Sequence, residues 1–132
     1  IHGNVDRVDE LNGEIRIIDY KSGMVQGAEL KVLDFEKLRE KEQFKAIQVL
    51  MYAYCYAKEK KFDFSKNLKA GIYSFKNLNS GFLPINFSSN YRNPETTITE
   101  EKLEEFIAEL KEYIKEIYNP ETPFVEPADL KY

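Results

Sequence analysis

Residues 3–23 read GNVDRVDELNGEIRIIDYKSG, and the fold of the chain turns on how this stretch pairs with itself. Asn12 and Gly13 both tolerate the positive φ angles of a two-residue type I′ turn, so the segment is expected to close as a β-hairpin. That turn sets Asp6 against Asp19, Val8 against Ile17, Asn4 against Lys21 and Asp9 against Arg16. Side chains alternate with period two. Asn4, Asp6, Val8, Ile17, Asp19 and Lys21 therefore share one face, and Val5, Arg7, Asp9, Arg16, Ile18 and Tyr20 the other. A bulged three-residue turn would shift the pairing by one and separate the two carboxylates.

Directly opposed like charges, with Cβ atoms roughly 5 Å apart, destabilise a sheet. A divalent cation removes that penalty. Asp6 and Asp19 would each give an oxygen to Mg²⁺, a hard ion that takes few carboxylates and fills its other positions with water and phosphate. Lys21, two residues beyond Asp19, is placed to hold an attacking water or to steady charge developing on phosphorus. Against this stands a plainer reading, in which an unrelated α/β interaction domain neutralises its hairpin charges by ion pairing, Asp19 with Lys21 along the strand.

GNVDRVD followed by IIDYKSG resembles the nuclease domain of RecB- and AddB-type helicase-nucleases, a branch of the PD-(D/E)XK superfamily. The family's Q-x-x-x-Y helix motif is matched by Gln48 and Tyr52 in IQVLMYAY, and a looser likeness continues to the closing NPETPF. The ordered set, each motif in its expected hairpin or helix, is more specific than any one alone. The resemblance implies an α/β restriction-endonuclease-like core: a mixed sheet of about four strands flanked by helices. It implies Asp6, Asp19 and Lys21 as the active centre, with Gln48 and Tyr52 bracing it or touching the DNA backbone. It further implies Mg²⁺ or Mn²⁺ held by Asp6, Asp19 and the Tyr20 carbonyl. The activity expected is DNA phosphodiester hydrolysis, exonucleolytic in type, in repair or recombination, with helicase or other subunits as partners. A nuclease-fold module retained without chemistry, for structure or DNA binding, is the other reading of the same resemblance.

Two features depart from the family pattern. Its usual helix ahead of the hairpin is missing, since the chain begins at Ile1, and Cys55 is the sole cysteine. The chain alone therefore cannot hold an iron–sulfur cluster. Residues 1–132 are read as one nuclease-like domain of a larger protein.

Composition agrees with one compact unit. At 132 residues, 42% hydrophobic and 32% charged, the chain is ordinary for a globular domain. A single cysteine excludes an internal disulfide and fits a reducing, cytoplasmic setting. No apolar run is long enough for a membrane span and no signal peptide is evident. A net charge of −4 does not advertise nucleic-acid binding; a local metal site or basic partners would have to supply the attraction.

Beyond the hairpin, Met24 to Gln43 is polar and aperiodic, and is expected to be a charged loop with a short helix at Asp34 to Arg39, either solvated or acting as a flap near substrate. Glu42 to Lys60 is apolar almost all round and reads as a buried helix, with Lys41, Lys45, Gln48 and Tyr52 on one stripe. Its Gln48 must find hydrogen-bond partners. Leu68 to Phe75 and Gly81 to Phe87 read as a second antiparallel hairpin, with Pro84 placing the latter strand at an edge. In the loop that follows, Tyr91 and Arg92 read either as plain surface or as a stacking and phosphate contact for DNA. The last helix is capped by Thr99, stapled by Ile98 and Leu103, and carries an apolar stripe through Ile117 to its stop at Asn119-Pro120. His2, on the Asp6 face, reads either as a structural residue or as a contact to substrate or metal, and Asp9 is assigned to an ion pair with Arg16.

Overall fold

The structure is a computed structural model that describes residues 4–38, 43–121 and 123. Asn12 and Gly13 take φ values of 52° and 78°, the double positive φ that a type I′ turn requires. Strands β1 (Arg7–Leu11) and β2 (Glu14–Lys21) pair antiparallel across it, with Val8 opposite Ile17 and Asp9 opposite Arg16. The register is the one expected, and no bulge intervenes.

Strand β2 then pairs in parallel with β3 (Asn67–Ser74), which in turn pairs antiparallel with the short β4 (Leu83–Pro84), giving a four-stranded mixed sheet in the order β1-β2-β3-β4. A parallel pair needs a crossover between its strands. Helix α1 (Phe44–Lys60) lies in that crossover, and α2 (Glu100–Tyr118) follows β4. The second hairpin is thus real but short. Pro84 cannot donate to a ladder and sits at the sheet edge. Gly71, opposite it, has no room for a side chain, because a Cβ there would lie 2.1 Å from the Leu83 carbonyl oxygen.

One core joins Ile17, Leu68, Ala70 and Ile72 of the sheet to Val49, Leu50 and Ala53 of α1 and to Leu103 and Phe106 of α2. Helix α1 covers this sheet face, and α2 packs against α1 and the Phe35–Lys37 turn. The other face carries Arg16, Tyr20, Tyr73 and Phe75, the Tyr20 ring stacking on Tyr73 at 6.1 Å and on Phe75 at 5.8 Å. Thr99 caps α2 by accepting from the Lys102 N–H at 3.2 Å, with Ile98 and Leu103 buried beside it. The apolar stripe of α2 does not stay buried to its end. Ile114 and Ile117 are exposed.

The connection after β2 corrects the sequence reading most. Val25, Leu30, Val32 and Leu38 are all buried, so its described residues, 24–38, are neither a solvated loop nor a free flap. Two short 3-10 turns, Gly27–Leu30 and Phe35–Lys37, lie within it, and Lys31 bridges to Asn86 alongside the sheet. Spaced apolar residues in a polar segment gave no regular period, so the packing escaped a periodicity argument.

Candidate active site

Asp19 and Lys21 lie two residues apart on β2 and so project to the same face, the one that α1 covers. Asp19 is buried, at 5% exposure. Above it, Lys21 Nζ donates a 2.7 Å hydrogen bond to Gln48 Oε1 and lies 2.9 Å from Asp19 Oδ2. Gln48 Nε2 in turn donates to the Tyr52 hydroxyl at 2.9 Å. An ammonium group has donors only, so it fixes which end of the Gln48 amide faces it. The four side chains form one line: carboxylate, ammonium, amide, phenol.

Gln48 and Tyr52 reach this line because four residues along a helix bring side chains onto one stripe. That stripe faces the C-terminal part of β2. Gln48 is a polar residue in an apolar helix, and both ends of its amide are satisfied here. Its need for partners was legible in the sequence; the identity of Lys21 as the partner was not.

Asp6 immediately precedes β1. Its Oδ2 accepts a 2.9 Å hydrogen bond from the Tyr20 N–H, the amide that links Asp19 to Tyr20. The exposed Asp6 carboxylate is thereby held beside the Asp19 backbone. The Tyr20 ring turns to the opposite face, so only the main chain of that residue is available on the Asp19 side.

The donor set can be tested for a metal ion. Asp19 Oδ2 is buried and accepts no hydrogen bond, although Lys21 Nζ is close enough for an ion pair. That oxygen already faces the Lys21 ammonium, so an ion bound there would share it with Lys21. Asp6, Asp19 and the Tyr20 carbonyl offer only hard oxygen donors, which match Mg²⁺ or Mn²⁺. Among the described residues no group of three His, Cys, Asp or Glu side chains could hold a metal. The protein's share of the ligands is small, and that too suits an ion that keeps water and phosphate about it.

Other candidates fall elsewhere. Asp9 accepts two 2.8 Å hydrogen bonds from the Arg16 guanidinium, with Arg7 at 3.3 Å. The Arg16 bonds hold its carboxyl below the usual range, and it is an ion-pair residue, as expected. His2 and Lys41 lie outside the described residues. Lys45 pairs with Glu29 at 2.7 Å, and this bond, with a second from the Gln26 N–H, lowers the Glu29 pKa. Tyr91 is exposed, with the Lys31 ammonium 4.2 Å from its ring centre.

Sequence reasoning missed Ser74. This buried residue pairs with Lys21 in the sheet register, donates to the Gly23 carbonyl at 2.7 Å and accepts from the Val25 N–H at 3.1 Å. It anchors the turn that leaves the site. Only its place as a lone serine ending an apolar strand hinted at this. A cavity of about 650 Å³ lies between residues 32–36 and α2, is lined by Asp34, Glu36, Glu101 and Glu105 among others, and includes none of the site residues. Its acidic lining is unsuited to a phosphate backbone.

A family model described as the PD-(D/E)XK nuclease superfamily matches residues 1–129. No curated protein and no solved structure gives a significant match.

Proposed function

The chain belongs to the PD-(D/E)XK nuclease superfamily, and from that premise we propose that it hydrolyses DNA phosphodiesters with Mg²⁺, as a RecB-type exonuclease acting in repair or recombination. Nuclease activity on DNA and use of a divalent ion are the family's general properties. One observation carries the extension to this chain's own residues: Lys21 is held between buried Asp19 and Gln48. A side chain that only solubilised the strand would have no such clamp.

A divalent ion held by Asp6, Asp19 and the Tyr20 carbonyl would supply Lewis-acid polarisation of the phosphodiester and a more acidic water. The remaining work belongs to the chain. Lys21 orients the attacking water by donating to it and offsets negative charge growing on the phosphoryl oxygens. Gln48 and Tyr52 keep that ammonium in place. Such positioning lets a flexible lysine act without first losing rotamer freedom. Helicase or other subunits of a larger assembly are proposed as the partners that deliver DNA.

The Asp19–Lys21 contact at 2.9 Å also favours a second reading, a nuclease-fold module in which the pair is purely structural. The plainer idea of an unrelated domain with the same ion pair does not survive the family match.

Degradation of linear and covalently closed DNA with Mg²⁺ or Mn²⁺ separates the two. Loss of linear DNA alone, abolished by Lys21→Ala and by Asp19→Asn, is the expected result and identifies an end-dependent exonuclease. Cutting of closed circles would make the enzyme an endonuclease. Equal inertness of wild type and variants, with DNA binding retained, would establish the structural module.

A further inference from the structure

We infer that the cavity between the Gln26–Lys31 segment and β4 is a single-strand subsite, taking a nucleotide a few steps from the scissile phosphate. The inference rests on the nuclease reading above. The cavity holds about 410 Å³ and is lined by Gln26, Lys31, Pro84, Asn86 and Tyr91 among others, with no carboxylate. That volume is within the roughly 300–1,000 Å³ typical of small-ligand sites. Its lining contrasts with the acidic walls of the larger cavity beside α2. In a chain of net charge −4, a cavity whose charged side chain is a lysine stands apart.

Lys31 makes no ion pair among the described residues; its ammonium rests 4.2 Å from the Tyr91 ring centre. Tyr91 is 87% exposed, so the ring face away from Lys31 is open. A base can stack on that face while the phosphate beside it meets the lysine, the pairing of aromatic platform and cation that single-strand binding uses. A base paired within a duplex has its faces already stacked. The site therefore selects an unpaired strand.

The scaffold beneath is well fixed. Lys31 bridges to Asn86, whose N–H donates to the Leu30 carbonyl at 3.0 Å and whose carbonyl accepts from Val32 at 2.8 Å. Asn86 Oδ1 also accepts from the Ser88 and Glu95 N–H groups, which closes the loop that presents Tyr91. The cavity is also at a useful distance from the reacting centre. Asp19 pairs with Ile72, and Ile72 with Leu83, a lining residue. Two inter-strand spacings put Leu83, at the wall of the cavity, roughly 10 Å across the sheet from Asp19.

The test measures binding of a fluorescein-labelled oligothymidylate and of a blunt duplex of equal length to the Asp19→Asn protein, with Tyr91→Ala, Tyr91→Phe or Lys31→Ala added. Tyr91→Ala is expected to weaken oligothymidylate binding about tenfold, Tyr91→Phe to preserve it, and Lys31→Ala to lower the salt slope by about one. Duplex affinity should change less than twofold. Unchanged oligothymidylate affinity in Tyr91→Ala, or an equal loss for strand and duplex, overturns the subsite. If wild type cleaves DNA with the same KM as Tyr91→Ala and Lys31→Ala, the subsite fails while the nuclease reading stands. If the protein neither cleaves nor binds DNA, both fall.

Discussion

Lys21 and Gln48 stand 27 residues apart in sequence and are joined by a 2.7 Å hydrogen bond from the ammonium to the amide oxygen. The bond places a helix residue in charge of where a strand residue points. Gln48→Ala is expected to lower kcat about tenfold to a hundredfold, the cost of a catalytic group displaced by about 1 Å, with KM little changed. Tyr52→Phe should lose less, because it removes only the acceptor behind the amide. Steady-state kinetics on linear DNA checks both, and a fall in melting temperature without a fall in kcat would reduce Gln48 to a packing role.

Metal binding should register in stability before any activity is measured. An ion that binds only the folded state stabilises it by roughly 1.4 kcal/mol at ten times its Kd, about 4–6 °C for a domain of this size. Mg²⁺ or Mn²⁺ is expected to raise the melting temperature of wild type and to leave Asp19→Asn unmoved. Calorimetry with and without a chelator makes the comparison, and an equal response of the two proteins would exclude Asp19 as a ligand.

The fold lowers the pKa of Asp9 and Glu29 through ion pairs, and that of Asp63 through the Ser65 N–H. The Arg16 hydrogen bonds depress the Asp9 pKa, and the Lys45 hydrogen bond, then the Gln26 N–H, depresses that of Glu29. A group whose folded pKa is lowered adds stability that is fully present above its unfolded value, near 3.9 for Asp and 4.3 for Glu. That stability is lost as pH falls through the folded value. Thermal melts from pH 7 downward should show a loss beginning near pH 4. Asp9→Asn with Glu29→Gln should flatten it while lowering the melting temperature at pH 7.

Gly71 is required by the close approach of β4. A Cβ there would lie 2.1 Å from the Leu83 carbonyl oxygen and 2.7 Å from the Pro84 Cα, and main chain cannot yield as a flexible side chain can. Gly71→Ala should cost about 3 kcal/mol, the upper range for an overpacked core. Urea melts would show it as a lower midpoint at constant slope. Because Ile72, the next residue, is the sheet partner of Asp19, the same change should also reduce cleavage.

The first hairpin was legible from its turn back to Arg7, where the ladder ends, one residue short of the expected Asp6–Asp19 pairing. Asn12-Gly13 admits few turns, and period-two alternation then fixes which side chains share a face, so the company of Asp19 and Lys21 followed from local rules. The cap at Thr99 and the Asp9–Arg16 pair were readable for the same reason, since each depends on neighbours in sequence or across one tight turn. The burial of Val25, Leu30 and Val32 was not readable. Their segment has no period, and what buries them is a sheet edge and helix contributed by distant residues.

By itself, the sequence determined the chemistry on offer: two carboxylates and a lysine on one hairpin, and a glutamine and a tyrosine on one helix stripe. That the two sets meet was implied by the family resemblance; tertiary structure alone decided that Lys21 lies between Asp19 and Gln48, and that Lys31 and Tyr91 flank a cavity free of carboxylates. The reason is the reach of the interactions. Turn geometry and side-chain alternation act over a few residues, whereas contacts between β2 and α1, or between Lys31 and Tyr91, are specified by the packing of a whole core. No short window of sequence encodes that.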